Sequence, residues 1–156
     1  MEIGIENTET GKKERARIIL VVKDELKEID GSDRFGFSWW KERGKDVLKL
    51  ELITTNKIIG LMSLIDIPHE FRIELSVLEV SKENIGRGKK YDGIAGALIA
   101  FACNEAFDKG YSGFVSLEPK TKLIQLYKEK YGFLQYGRMM ATERKNSERL
   151  MNIFLR

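Results

Sequence analysis

The residues best suited to chemistry lie between Glu74 and Ile99, ELSVLEVSKENIGRGKKYDGIAGALI. Lys89 and Lys90 bring positive charge, and Gly93, Ala95 and Gly96 put small residues where an apolar run begins. Small side chains let the N–H groups of a first helical turn approach an anion closely, and the helix dipole adds to the attraction. The chemistry this suits is the cradling of a nucleotide phosphate, with a tight turn as the plainer alternative. The stretch lacks both the Gly-Lys-Ser/Thr ending of a P-loop and the dinucleotide fingerprint. Other reactive residue types are isolated. The one histidine, His69, follows Pro68 in a turn, and without a second His or clustered Cys it gives no argument for a metal. The one cysteine, Cys103, excludes an intrachain disulfide and reads as a small buried hydrophobe in the run ALIAFACNEAF.

The elements around this stretch must position it. From Phe71 to Val77 apolar residues fall on odd positions, the period of a half-buried strand, and then the phase slips, with Leu78 and Val80 apolar on even positions. One extra residue marks a bulge near 77–79, which frees backbone groups to bond a ligand. Beyond the loop, Ile94 to about Lys109 predicts a buried helix stopped by Gly110. Upstream, Val47–Ile53 and Ile58–Ile67 predict two antiparallel strands joined through Thr54–Lys57. Before them, Arg17–Lys23 reads as a strand and Asp24–Ile29 as a helical turn. The aromatic cluster FGFSWW, Phe35–Trp40, reads as core or a helix anchor, or else as the wall of a substrate pocket. Downstream come a short strand, Ser112–Leu117, and an amphipathic helix, Leu123–Tyr131, with Leu123, Tyr127 and Tyr131 on one face. A strand over Leu134–Thr142 and a helix over Asn146–Leu155 end the series. Residues 1–16, polar apart from Met1, Ile3, Ile5 and Ala16, are expected to be a frayed end.

The pattern is mixed α/β, and 156 residues at 42% apolar composition fit one domain over 1–156. The formal charge of +3, from 27 basic and 24 acidic residues, is spread along the chain. It points weakly to an anionic ligand and makes no case for nucleic acid. No apolar run reaches the length of a membrane span, and the charged Met1–Arg17 segment lacks a signal-peptide core, so a cytoplasmic protein without a membrane partner is expected.

KYDGIAGALI resembles the acyl-CoA signature of the GNAT N-acetyltransferases, [QR]-x-x-G-x-[GA] followed by two residues and an aliphatic pair. Lys90 stands in the Gln/Arg place, and Gly93 and Ala95 match. ELSVLEV is similar to the bulged fourth strand of that fold, although about five residues more than usual separate Val80 from the signature. KTKLIQLYKEKYGF resembles the family's N-x-x-A-x-x-[LF]-Y segment and following Gly-Phe, with Lys120 in the Asn place, Leu123 in the Ala place and Tyr127 on the Tyr. Gly132 lies five residues after Tyr127 where four is usual, so an alignment on Gly132 and Phe133 would put Lys128 there instead. The resemblance covers roughly 47–133.

The resemblance implies a GNAT-like domain with a central mixed, mostly antiparallel sheet, a bulged strand and helices on both faces. Acetyl-CoA is the implied cofactor, with an amine of a small molecule or protein as acceptor and room for a homodimer. The backbone of Leu78, Glu79 and Val80 would pair with pantetheine. That of Lys90, Asp92, Gly93, Ile94, Ala95, Gly96 and Ala97 would hold the pyrophosphate, and Lys120 and Tyr127 would lie at the cofactor. Tyr127 is the implied general acid for the leaving thiolate. Glu74, Glu79 or a water would be the base, and the N–H of Leu78 or Glu79 would stabilise the oxyanion. Glu74 reads equally as a strand carboxylate paired with a surface Lys. A reading of another class is a CoA-binding or regulatory module of this fold without turnover.

Overall fold

The computed structural model describes residues 1–156. Nine strands form one sheet in the order β6-β1-β2-β3-β4-β5-β7-β9-β8. In chain order these strands are β1 Glu2–Asn7, β2 Lys13–Leu20, β3 Asp46–Leu52, β4 Ile58–Ile67, β5 Arg72–Val80, β6 Tyr91–Asp92, β7 Val115–Leu117, β8 Leu134–Tyr136 and β9 Met139–Thr142. The helices are α1 Lys23–Asp30, α2 Ile94–Asp108, α3 Ile124–Glu129 and α4 Arg144–Phe154. The chain divides into two compact units, residues 1–63 with 77–98 and residues 64–76 with 99–156, so that β4, β5 and α2 each contribute to both.

In the first unit the expected frayed end is instead a hairpin. β1 and β2 run antiparallel with Glu2 opposite Arg17 and Glu6 opposite Lys13. Ile3, Ile5, Ala16 and Ile18 are buried, which gives the few apolar residues of this polar stretch one shared face. The turn is made by Asn7, whose Oδ1 accepts the N–H groups of Glu9 (2.9 Å) and Thr10 (3.3 Å), and by Gly11 at φ +69°. β2 pairs antiparallel with β3, and β6 pairs with the far edge of β1. Over this unit Leu26 and Ile29 of α1 pack with Phe35, Trp39, Val47 and Leu61. The aromatic cluster is therefore divided: Phe35 and Trp39 are core, and the ring of Phe37 is exposed.

In the second unit β5 pairs parallel with β7, Ile73 opposite Val115 and Glu74 opposite Ser116. Parallel neighbours need a long crossover, and α2 supplies it. Its C-terminus closes as a Schellman motif, with the N–H of Tyr111 on the Ala106 carbonyl (2.8 Å), that of Gly110 on Phe107 (3.0 Å), and Gly110 at φ +81°. The single strand expected over Leu134–Thr142 is a hairpin, β8 against β9, with Tyr136 opposite Met139. Gly137 at φ +61° takes the first central position of its two-residue turn, as a type II′ turn requires. The helix expected over Leu123–Tyr131 is shorter: a 3-10 turn over Thr121–Leu123 leads into α3.

Candidate active site

Burial along β5 alternates through Ile73 and Leu75, then stops, and Val77, Leu78, Glu79 and Val80 are all half-buried. The alternation ends where the sequence phase slips. After Val80 the N–H of Ser81 bonds the Ile59 carbonyl (3.0 Å), and the chain passes through a 3-10 turn over Lys82–Asn84. The loop beyond is organised by Asn84, a buried side chain whose Oδ1 accepts the N–H groups of Lys90 (3.2 Å) and Tyr91 (3.1 Å). From outside, Thr8 holds it: its hydroxyl donates to the Lys89 and Lys90 carbonyls at 2.7 and 3.0 Å. Lys89 is ion-paired with Asp92 at 2.8 Å, so part of the expected positive charge is already met. Lys90 lies 5.9 Å from the centre of the Tyr91 ring.

Gly93 follows at φ +84°, a conformation that L side chains adopt at a cost, and its N–H donates to Asp92 Oδ1 at 2.9 Å. The N–H of Ala97 makes the bond to the Gly93 carbonyl that opens the ladder of α2. Those of Ile94, Ala95 and Gly96 precede it and have no acceptor within the helix. The helix start is set against β4 by Gly60, where a Cβ would fall 2.7 Å from Ile94 Cγ2 and 3.0 Å from Leu98 Cδ1. Leu78, Glu79 and Val80 thus share one unit with Lys90, Asp92, Gly93, Ile94, Ala95, Gly96 and Ala97. This local arrangement can present backbone donors and a positive helix end to an anion.

Glu79 has its own partners. Its carboxylate accepts the N–H groups of Gly36 (2.6 Å) and Phe37 (3.2 Å) and the indole Nε1–H of Trp39 (2.8 Å). This network was not readable from the sequence, in which only the aromatic concentration at Phe35–Trp40 hinted at it. Nearby, the guanidinium of Arg34 donates to the Ile58 carbonyl (2.6 Å) and bonds Glu83.

The second unit carries Glu74, Lys120 and Tyr127. Glu74 accepts from Arg72 Nη1 at 3.2 Å, and the same guanidinium bonds Glu70 at 2.8 Å and donates to Ser116 Oγ at 2.7 Å. The strand carboxylate is therefore paired, with an arginine rather than a lysine. Burial works against the Arg72 charge, but the carboxylates of Glu70 and Glu74 more than offset it and raise its pKa above the ordinary value. Lys120 is exposed, at the entry to the 3-10 turn. Tyr127 is half-buried, its ring 5.4 Å from Phe133 edge-on and 6.0 Å from Tyr131. Burial pushes its pKa up, and its hydroxyl has no hydrogen-bond partner in the chain. Lys128, its rival in the alternative alignment, is exposed and lines an open concavity with Gly132, Phe133 and Tyr136.

No group of three or more His, Cys, Asp or Glu side chains is placed to hold a metal. No helix is long and apolar enough to cross a membrane.

No protein-family model and no curated protein matches the sequence. Solved structures do match the fold. A nourseothricin acetyltransferase superposes with a TM-score of 0.61 at 14% identity, covering 82% of this chain and 98% of its own. AtaTR bound with AcCoA gives 0.61 at 16% identity over 87% and 98%. A spermidine N-acetyltransferase SpeG chimera from Vibrio cholerae and hSSAT gives 0.60 at 16% identity over 88% and 98%. The fold is that of the GNAT acetyltransferases. The mixed sheet with one parallel pair fits the expected class.

Proposed function

We propose that this protein is an N-acetyltransferase that moves an acetyl group from acetyl-CoA to an amine by direct attack within a ternary complex. The observation that carries the reading is the junction of β5, loop and α2. Gly93 takes a left-handed conformation, three N–H groups stand ahead of the helix ladder, and a fold-mate of matching extent binds AcCoA. The fit to the cofactor is favourable on the chain's own residues: within the stretch from Lys90 to Ala97 the N–H groups of Ile94, Ala95 and Gly96, ahead of the helix ladder, offer donors to a pyrophosphate, and Leu78 to Val80 offers strand backbone to pantetheine. Acetyl-CoA supplies the activated thioester carbonyl. The amine must be deprotonated before it attacks, and the departing thiolate takes up a proton. Tyr127 suits the second task, because burial keeps its phenol protonated and no side chain competes for its hydroxyl. The first task falls to Glu74 or a water, since the Glu79 lone pairs already meet three donors. An N–H at the end of β5, that of Leu78 or Glu79, suits the developing oxyanion.

The acceptor is an amine of a small molecule or a protein; neighbours named for spermidine and nourseothricin support the small-molecule class, and one complexed with acetyl-methionyl-tRNA supports a macromolecular one. The proposed setting is cytoplasmic, and the proposed working form is a single domain, alone or as a homodimer. Native mass spectrometry of the purified chain tests the cofactor and the assembly together, and free thiol appearing with spermidine, nourseothricin or a lysine peptide tests turnover. Co-purified CoA with turnover is expected. CoA without release of thiol would reduce the protein to a binding module, and no binding of acetyl-CoA would sink the reading.

A further inference from the structure

Glu79 lies on β5 between Leu78 and Val80, but its side chain is committed to residues some forty positions earlier in the chain. Oε2 accepts Gly36 N–H at 2.6 Å, and Oε1 accepts Phe37 N–H at 3.2 Å and Trp39 Nε1–H at 2.8 Å. Bonds to an ionised acceptor are of the stronger kind, and here three of them converge on one carboxylate. Trp39 is fully buried among Leu26, Ile29, Phe35, Val47 and Leu61, and Val77 of β5 packs on the same cluster. Phe37 lies between the anchored residues with its ring 37% exposed, edge-on to Trp39 at 5.5 Å. The segment is fixed by the core through Trp39 and by β5 through Glu79, and it shows one aromatic ring to solvent.

We propose that Glu79 is a positioning residue that ties the Gly36–Trp39 segment to the cofactor-holding end of β5, so that the segment, with the exposed ring of Phe37, follows the strand when cofactor binds. This rests on the acetyl-CoA reading for its functional half. A general base needs a lone pair open to the amine. On Glu79 the N–H groups of Gly36, Phe37 and Trp39 already take three of the roughly four lone-pair sites, both of those on Oε1 among them. The carboxylate instead makes the segment sensitive to what binds at Leu78–Val80, because a shift of this strand backbone moves three hydrogen bonds together.

The test uses the Trp40→Phe protein, which leaves Trp39 as the single indole of a chain with two tryptophans. Amide exchange by NMR, Trp39 emission with and without acetyl-CoA, and calorimetric acetyl-CoA affinity are compared for Glu79, Glu79→Gln and Glu79→Ala. In Glu79→Ala the Gly36 and Phe37 amides should exchange about tenfold faster or more. Trp39 emission should move to longer wavelength and stop responding to acetyl-CoA at concentrations that calorimetry shows to saturate the variant. In Glu79→Gln one carbonyl oxygen can still serve Phe37 and Trp39, so Gly36 alone should lose protection. Unchanged exchange at Gly36 and Phe37 in the alanine variant would overturn the tie. An emission response to acetyl-CoA that survives in that variant would overturn the coupling. A parent protein that binds no acetyl-CoA would remove the acetyl-CoA reading and the coupling with it, and the exchange data would still decide the tie.

Discussion

The N–H of Phe133 reaches back to the carbonyl of Tyr127 at 3.0 Å, while the N–H of Gly132 bonds Lys128 at 3.2 Å. This closure is one position wider than a Schellman turn, and Gly132 takes the left-handed conformation at φ +70°. The turn holds the Tyr127 ring against Phe133, edge-on at 5.4 Å.

Tyr127→Phe removes one hydroxyl and keeps the packed ring. Turnover with an accepted amine should fall roughly tenfold to a thousandfold with little change in acetyl-CoA affinity. Lys128→Met, on the exposed neighbour, should leave the rate nearly intact. Steady-state kinetics of both variants decides, and the reverse order of effects would move the role to Lys128.

Gly93→Val places a β-branched side chain at φ +84°, beside the donors of the first turn of α2. Acetyl-CoA binding should weaken about tenfold or more, about 1.4 kcal/mol. Calorimetry on a variant shown by its melting curve to be folded is the measurement, and an unchanged affinity would reject the phosphate assignment.

Lys89 is ion-paired with Asp92, whereas Lys90 makes no close ion pair and meets the Glu14 carboxylate only as a longer-range charge. Lys90→Ala should therefore weaken CoA binding more than Lys89→Ala does, and neither should affect pantetheine without phosphates. The difference should shrink at high salt, because an exposed point charge is screened. Equal effects of both variants at every ionic strength would remove Lys90 from the phosphate.

Gly113 stands at φ +71°, and a Cβ there would lie 2.5 Å from Phe107 Cε2 and 2.9 Å from Ser147 Cβ. Backbone strain and overpacking act together, so Gly113→Ala should cost roughly 2–4 kcal/mol of stability, read from the urea midpoint. A variant within experimental error of the parent would contradict this packing.

Burial pushes Tyr91 up from 10.0 to about 12, with help from its bond to Glu14. Burial likewise pushes the Cys103 thiol up from 9.0 to about 12, against an opposing bond from Ser147. Both folded values exceed the unfolded ones, so the native state holds the proton longer. Their stabilising contribution is complete below pH 9 and is lost as the pH rises toward 12. Urea midpoints should fall across that alkaline window, and Tyr91→Phe should flatten the fall. A profile that stays level there would exclude the linkage.

The strands β3 and β4, the helix α2 and its glycine stop were legible because each has a strong period and a clear end signal. The N-terminal hairpin was hidden because Ile3 and Ile5 are two apolar residues in a charged stretch, and their burial depends on partners elsewhere in the sheet. Gly137 carried the signal that splits β8 from β9, but the apolar residues on either side of it read as continuous. At the site, the glycine positions follow from local sequence rules. The Glu79 bonds to Gly36, Phe37 and Trp39 do not, because sequence spacing says nothing about which distant donors a carboxylate will meet.

The hold of Thr8 on the loop has a consequence for how the molecule assembles. Eighty-two positions separate Thr8 from Lys90, and β1 also pairs with β6 just beyond. Closing so long a span costs entropy that grows as about (3/2)RT ln n, repaid only when the intervening strands are in place. The loop over Lys89 and Lys90 should therefore set late in folding. It should also open early under load, since tension that peels β1 from its neighbours unfastens this loop while the buried cluster around Trp39 still stands.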